Sequence, residues 1–453
     1  MVCSGVQAMI PFHPWNTTRP RRHHMRLAAL AYIAALVATP GAAAQGAPDA
    51  PSQSAFQQCL ADLKPTAAAR GVPAALFDRL TARLEPDPRV LALLDRQPEF
   101  VTPIWQYLAN LVDRRRIGEA QEALAANGPL LRQIERRFGV EAELIVAFWA
   151  VESNFGRNLG RYDLIQSLAT LACFGRRQAY FRGEFVTLTE IIARGDITSL
   201  PPRGSWAGAF GHTQFMPSTF AVYAVDGDGD GVRDLYGSLA DVFASTANFL
   251  KRSGWRYGEP WGIEVRLPPH WQSTATGRQV KRTTREWLEL GLTRADGKPW
   301  DPTTLPERAA LLLPAGSNGP AILVFPNYDV LYRYNAAESY TLAVGLLFDA
   351  LRDPERAAHF DPKQPFRTPW PTDEPPLTRS ETETIQSRLT ALGYDPGPVD
   401  GVMGATTREA LRRFQLECLG DPAASGWPDA RTRAALTNEN VVCPSAPHRQ
   451  TQR

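Results

Sequence analysis

Glu152 ends a strongly apolar stretch, Val146-Ala147-Phe148-Trp149-Ala150-Val151, and Ser153-Asn154-Phe155-Gly156 follow it. Burial raises a carboxyl pKa, because a low-dielectric setting disfavours the anion. A carboxyl at an apolar helix end lined by Phe and Trp therefore suits a general acid, which must carry its proton near neutral pH while facing a leaving oxygen. The same short pattern also fits a surface glutamate at a helix end, so Glu-Ser-x-x-Gly is a weak signal alone. A second stretch, residues 204–218, interleaves small residues with aromatic and amide groups: Gly204-Ser205-Trp206-Ala207-Gly208-Ala209-Phe210-Gly211-His212-Thr213-Gln214-Phe215-Met216-Pro217-Ser218. Its glycines permit close backbone approach to a ligand, and Ser205, Trp206 and Gln214 supply the hydroxyl, ring and amide that sugar recognition uses. A tight turn is the plainer reading.

The third stretch runs Asp226-Gly227-Asp228-Gly229-Asp230-Gly231-Val232-Arg233-Asp234 and places acidic oxygens at loop positions 1, 3, 5 and 9, with Gly at position 6. This is a strong calcium-loop pattern, in which Val232 would contribute its backbone carbonyl from position 7. Position 12 is Gly237 in place of the usual bidentate Glu, so closure must come from elsewhere, with Asp241 at the start of the next helix the nearest candidate, and the incomplete set predicts modest affinity. An acidic surface turn is the alternative, but carboxylates this close repel one another without a cation.

These stretches need a scaffold, and 453 residues suffice for two or three compact units. From Phe56 to about Asp353 amphipathic stretches alternate with short breakers, which predicts a mainly α-helical domain. Candidate helices include 56–69, 73–83, 103–111, 117–126, 130–138, 142–151, 238–251 and 336–351, with Asn127-Gly128-Pro129 as a stop and restart. Short extended pieces are expected at 262–267 and 321–325. Residues 354–376 carry seven prolines and read as a semi-rigid linker, and 377–440 as a small three-helix unit with helices over 382–392, 406–415 and from about 429.

Arg19, Arg21, Arg22 and Arg26 precede an apolar run from Leu27 to Val37, with Ala42-Ala43-Ala44 beyond it, so residues 1–44 read as a cleavable signal peptide. The run is about half the roughly 20 residues that a spanning helix needs; a permanent membrane helix is the alternative. No cysteine directly follows the run, which argues against a lipoprotein, and Met25 is a candidate true start. The expectation is a soluble periplasmic protein.

Four cysteines remain after cleavage, and an even count in an exported chain favours disulfides. Three pairings are open. Because Cys59 and Cys173 lie in the large unit and Cys418 and Cys443 in the small one, those pairs are preferred. The formal net charge of +2 offers no strong field for nucleic acid.

Taken in order and spacing, the Glu-Ser-x-x-Gly, Gly-Ala-x-Gly-x-x-Gln-Phe-Met-Pro-Ser and Asp-rich segments resemble the B-type family of lytic murein transglycosylases, over roughly residues 56–353. The resemblance implies a lysozyme-like helical fold with Glu152 as the catalytic acid. It also implies that Ser205 and Gln214 line a sugar cleft, and that Tyr107, Tyr334 and Asn335 fall at substrate-contact positions, the last three on the short motifs Trp-x-Tyr-Leu and Arg-Tyr-Asn. The sequence departs from the family pattern at His212, where Pro or Tyr is common, at Phe249, often Tyr, and at Gly237. The small unit resembles a type 1 peptidoglycan-binding domain, on Ile385-Gln386-Ser387-Arg388-Leu389, Leu392-Gly393-Tyr394, Gly397-Pro398-Val399-Asp400-Gly401 and Phe414-Gln415.

The implied reaction is non-hydrolytic cleavage of peptidoglycan glycan strands to 1,6-anhydro products. Glu152 protonates the oxygen linking N-acetylmuramic acid to N-acetylglucosamine, then deprotonates the muramyl 6-hydroxyl. Ordinary glycosidases use two carboxylates, and Glu152 has no acidic companion in its motif, which suits assistance by the substrate's N-acetyl group. No cofactor is expected for the chemistry, and calcium is expected in a structural role. The expected partners are glycan strands and other wall enzymes, with the chain a monomer. A hydrolytic muramidase and a non-catalytic wall-binding scaffold are the rival readings.

Overall fold

The computed structural model describes residues 52–443, apart from 95–101, 270, 272–275, 302–303, 373–376, 402, 422–423, 425, 439–440 and 442. The expected signal peptide and the candidate start Met25 lie outside the described residues. The large domain opens with helices α1 (Gln53–Ala69), α2 (Ala74–Thr81), α3 (Pro88–Ala92), α4 (Ile104–Leu111), α5 (Arg114–Ala126), α6 (Gly128–Phe138) and α7 (Ala142–Ser153). A short ribbon of β1 (Tyr162–Asp163) and β2 (Arg203–Gly204) brackets α8 (Leu164–Phe174) and α9 (Gln178–Arg194). Then come α10 (Pro217–Tyr223) and α11 (Leu239–Arg252).

An antiparallel sheet follows, built from β3 (Gly262–Arg266), β4 (Arg282–Thr283), β5 (Thr293–Arg294), β6 (Arg308–Leu312) and β7 (Ala321–Val324) in the order β4-β6-β7-β3-β5, with α12 (Thr284–Glu289) between β4 and β5. The chain returns to the helical body through α13 (Pro326–Tyr334), α14 (Glu338–Arg352) and α15 (Pro354–Ala358). The C-terminal unit is α16 (Arg379–Ala391), α17 (Ala405–Glu417) and α18 (Ala430–Thr437).

The mainly helical reading holds, and the sheet is larger than the two extended pieces expected. Its apolar side chains form a core of their own, in which Val265, Trp287, Leu311, Leu323 and Phe325 are buried. β6 was not anticipated, because Arg308-Ala309-Ala310-Leu311-Leu312 shows neither alternation nor β-branched residues. α8 was missed for a related reason: nearly every residue in it is buried, so it presents no polar stripe for a helical period to reveal.

The proline-rich segment is not a free spacer along its length. Residues 354–358 form a helix, and Phe360, Phe366 and Trp370 are buried in the helical core. The backbone N–H groups of Arg367 and Thr368 donate to the Glu264 carboxylate at 2.8 and 2.7 Å. Aromatic residues between the prolines convert the segment into a strap, because each buries apolar area that a solvated spacer would leave in water.

The C-terminal unit has its own small core of Ile385, Leu389, Tyr394, Leu411, Phe414 and Leu436. Gln386 ties it together, accepting from the Asp400 and Gly401 N–H groups at 3.0 and 2.9 Å while donating to Asp400 Oδ1 at 2.9 Å. Cys59 is bonded to Cys173, and Cys418 to Cys443.

Candidate active site

Helix α7 is apolar on every side, with residues 144–151 all buried, so it forms the central strut of the helical domain. It ends at Asn154, whose positive φ of 50° turns the chain, and Phe155 follows at 60°. Glu152 sits in the last turn, 5% exposed. Helix α14 packs along α7, and from its first turn Tyr340 donates its phenol O–H to Glu152 Oε1. Burial pushes the Tyr340 hydroxyl well above its ordinary pKa, and the nearby Glu152 charge adds to the shift, so the group stays a neutral donor. The contact joins residues 188 positions apart and holds the carboxyl at one orientation. Sequence reasoning missed Tyr340. A Tyr six residues beyond the flagged Tyr334 carried no motif, and only the crossing of α14 over α7 reveals its use.

The loop of residues 204–216 closes over the end of α7. Isolated bridges Gly204–Phe210 and Phe210–Phe215 fold it back on itself. Ser205 Oγ accepts from the Ala209 N–H at 2.9 Å, and Gln214, with φ of 49°, donates from Nε2 to Gly211 O at 2.9 Å and Leu159 O at 3.3 Å. Ser205 and Gln214 are 2% and 3% exposed, so these atoms shape the loop that the cleft is made from.

His212 meets α7 directly: its Nδ1 accepts from Trp149 Nε1 at 2.8 Å, and the two rings stack at 5.9 Å. Accepting at Nδ1 leaves the neutral ring's proton on Nε2. Burial lowers the His212 pKa, favouring that neutral form. A Cβ at residue 156 would lie 2.1 Å from the His212 ring, which accounts for the glycine four residues after Glu152.

Tyr107, Tyr334 and Asn335 reach the same region and are 4%, 0% and 2% exposed. Tyr334 is a packing hub: its ring lies 4.4 Å from Phe148 and 4.8 Å from Phe249, and its hydroxyl donates to Thr213 O at 2.6 Å. Its ring is wholly buried in this aromatic packing, whereas the resemblance implies a substrate-contact position. Phe249 completes this aromatic layer with Phe215 and Tyr223. Among the described residues the buried oxygens Asn154 Oδ1, Thr213 Oγ1 and Asn335 Oδ1 have no protein hydrogen-bond partner, a state that a ligand's N–H or O–H groups would relieve.

The Asp-rich loop lies beside this layer. Asp226, Asp228 and Asp230 bring carboxylate oxygens within 4.8 Å of one another. Asp226 accepts from the Gly229 and Gly231 N–H groups at 2.6 and 2.9 Å, which curls the loop and holds that carboxyl below its ordinary pKa. The convergent oxygen set is the type a hard cation takes.

Asp241 and Asp234 both accept from backbone N–H groups of the loop. The two Asp241 oxygens accept from the Gly227 and Asp234 N–H groups, both at 2.6 Å, so this buried carboxylate braces the loop from inside. Asp234 Oδ1 accepts from the Tyr236 and Gly237 N–H groups, and a Cβ at residue 237 would stand 2.6 Å from Asp234 Oδ2, so a side chain there would displace the Asp234 carboxylate. The loop's exit couples it to the cleft: the His212 N–H donates to Leu235 O at 2.9 Å, and the Tyr236 ring stacks on Phe210.

A buried carboxyl at the end of an apolar helix, under an amide- and aromatic-rich loop, defines a lysozyme-like enzyme class, and the chain belongs to the transglycosylase SLT family, whose profile matches residues 55–349. A peptidoglycan binding domain profile matches residues 378–436. The chain is similar to SltB3 from Pseudomonas aeruginosa, solved in complex with NAG-anhNAM-pentapeptide: 40% identity, 84% of this chain and 99% of that one, TM-score 0.77. It also resembles Escherichia coli Slt35, solved in complex with calcium, at 28% identity over 66% of this chain and 92% of that one, TM-score 0.57. Among curated proteins it matches membrane-bound lytic murein transglycosylase B of Escherichia coli K12, 33% identical over 216 residues. The match covers 47% of this chain and 58% of that relative's length. Among the described residues no helix is long and apolar enough to cross a membrane.

Proposed function

We propose that this chain is a peptidoglycan lytic transglycosylase, exported to the periplasm, in which Glu152 is the acid and then the base. The observation that carries the reading is the buried Glu152 carboxyl clamped by Tyr340 at the end of α7. The likeness to SltB3, a protein solved with an anhydro-sugar ligand, supports it.

Glu152 gives its proton to the oxygen between N-acetylmuramic acid and N-acetylglucosamine, and the glycosidic bond breaks. The carboxylate left behind then takes the proton of the muramyl 6-hydroxyl as that oxygen closes on C1. The acid is regenerated and no water is consumed. Tyr340 steadies the carboxyl through both steps, and its hydrogen bond is strongest to the anion formed between them. Ser205 and Gln214 hold the loop over the glycan, and Tyr107 and Asn335 contribute to its binding surface, Asn335 through the acceptor that lacks a protein donor.

Asp226, Asp228 and Asp230, with the Val232 carbonyl, would hold calcium, and Asp234 and Asp241 shape the loop around it. The ion's contribution is structural: it removes carboxylate repulsion and stiffens the loop that backs His212. The 377–440 unit tethers the enzyme to the wall and raises local glycan concentration.

Mass spectrometry of muropeptides released from purified sacculi tests the reading. Wild type is expected to release 1,6-anhydromuropeptides and Glu152→Gln to release none. Reducing-end products would make the protein a hydrolase, and no release by either would leave a binding scaffold.

A further inference from the structure

The C-terminal unit meets the large domain at a charge pair two residues from the phenol that holds Glu152. Arg408 on α17 donates from Nη2 to Glu338 Oε2 at 2.6 Å, and the two side chains are only 23% and 18% exposed. Glu338 is the first residue of α14, where a carboxylate also interacts favourably with the helix N-terminus. Tyr340 follows on the same turn.

The surroundings fix the pair further. Arg278 lies 4.0 Å over the Tyr332 ring and donates to Asp329 at 3.1 Å, both on α13, immediately before α14. A cleft of about 350 Å³ separates the domains here, lined by Arg278, Tyr332, Glu338, Arg408 and Arg412. An ion pair this enclosed orders what it joins: removing one partner leaves the other charge desolvated and drives local rearrangement.

We propose that Arg408 is a positioning residue for the catalytic acid: the C-terminal unit, through Glu338, fixes the first turn of α14 and thereby the Tyr340 phenol on Glu152. The unit then belongs to the catalytic machinery as well as being a tether. The inference rests on the proposed role of Glu152.

Full-length variants assayed on short soluble glycan fragments and on sacculi separate the two roles. A tether matters for sacculi and not for short fragments. Arg408→Ala is expected to lower kcat on short fragments by up to about tenfold, the worth of the Tyr340–Glu152 hydrogen bond it positions, with KM changed less than about twofold. Arg408→Lys should recover most of the loss, and Arg408→Glu with Glu338→Arg should exceed either single change. Glu338→Gln, nearly isosteric, gives an independent reading and should lower kcat similarly. Retained binding of Arg408→Ala to sacculi, in a Glu152→Gln background, checks that the C-terminal unit is folded. Wild-type kcat on short fragments for both Arg408→Ala and Glu338→Gln would overturn the proposal and leave only a tether. Inactivity of the wild type on both substrates would instead sink the transglycosylase reading.

Discussion

The Asp-rich loop and the Glu152 cleft touch through His212 and Leu235, yet they are built in opposite ways. The loop is mainly local: hydrogen bonds among residues 226–241 curl it onto its own backbone N–H groups, and Arg233 ties it outward to Asp196. The cleft is assembled from segments far apart in the chain, with Glu152 on α7, Gln214 on the covering loop and Tyr340 on α14. A local device loses its shape when its own ion or side chain is removed and leaves the rest of the molecule standing. An assembled site depends on every helix that brings a group to it.

The contrast can be broken or sharpened by experiment. The largest effect is expected for Glu152→Gln, which should slow solubilisation of sacculi by about 10³-fold or more while leaving the thermal midpoint within a few degrees of wild type. An active Glu152→Gln protein would place the chemistry elsewhere. Next is the cation. Calcium at about 100 times its dissociation constant should stabilise the fold by about 2.7 kcal/mol, read as a rise in thermal midpoint that a chelator reverses. Asp228→Asn should blunt that rise without abolishing activity, and an equal rise in the variant would remove Asp228 from the ligand set.

Tyr340→Phe is expected to lower kcat about tenfold, the worth of one hydrogen bond to a charged group, with KM nearly unchanged. An unaltered kcat would reduce Tyr340 to packing. The smallest effect concerns His212. Burial lowers its folded-state pKa below the ordinary 6.5, so its contribution to stability is complete above that value and is lost as pH falls through it towards the folded-state value. Protonation of Nδ1 would also break the bond from Trp149. Thermal midpoints between about pH 7.5 and 5.5, a window spanning the ordinary imidazole pKa, should therefore slope downward on acidification, and His212→Phe should flatten the slope.

How far the sequence could be read follows the same division. The Asp-rich loop was legible as a metal-loop pattern because its acidic residues are contiguous, although the hydrogen bonds that Asp241 accepts from the loop were not, since a carboxylate pointing at N–H groups and one pointing at a cation look alike in a string of letters. The surface helices were legible from apolar periodicity and α8 was not, because full burial erases that periodicity; α7, buried as fully, was marked by its unbroken apolar run up to Glu152. Glu152 was singled out by its motif. Tyr340 was not, because nothing local to residue 340 records that α14 crosses α7. The packing of Tyr334 was not legible, because its neighbours Phe148, Phe215 and Phe249 come from separate stretches of the chain. The strap at 359–371 was misjudged because proline count outweighed the interleaved Phe360, Phe366 and Trp370.

The central claim is that Glu152 works with a nucleophile supplied by the substrate and not by water. Digestion of sacculi in H₂¹⁸O, followed by mass spectrometry of the released muropeptides, tests it most directly. The account predicts anhydro products that carry no ¹⁸O; products bearing ¹⁸O at the muramyl C1 would contradict it.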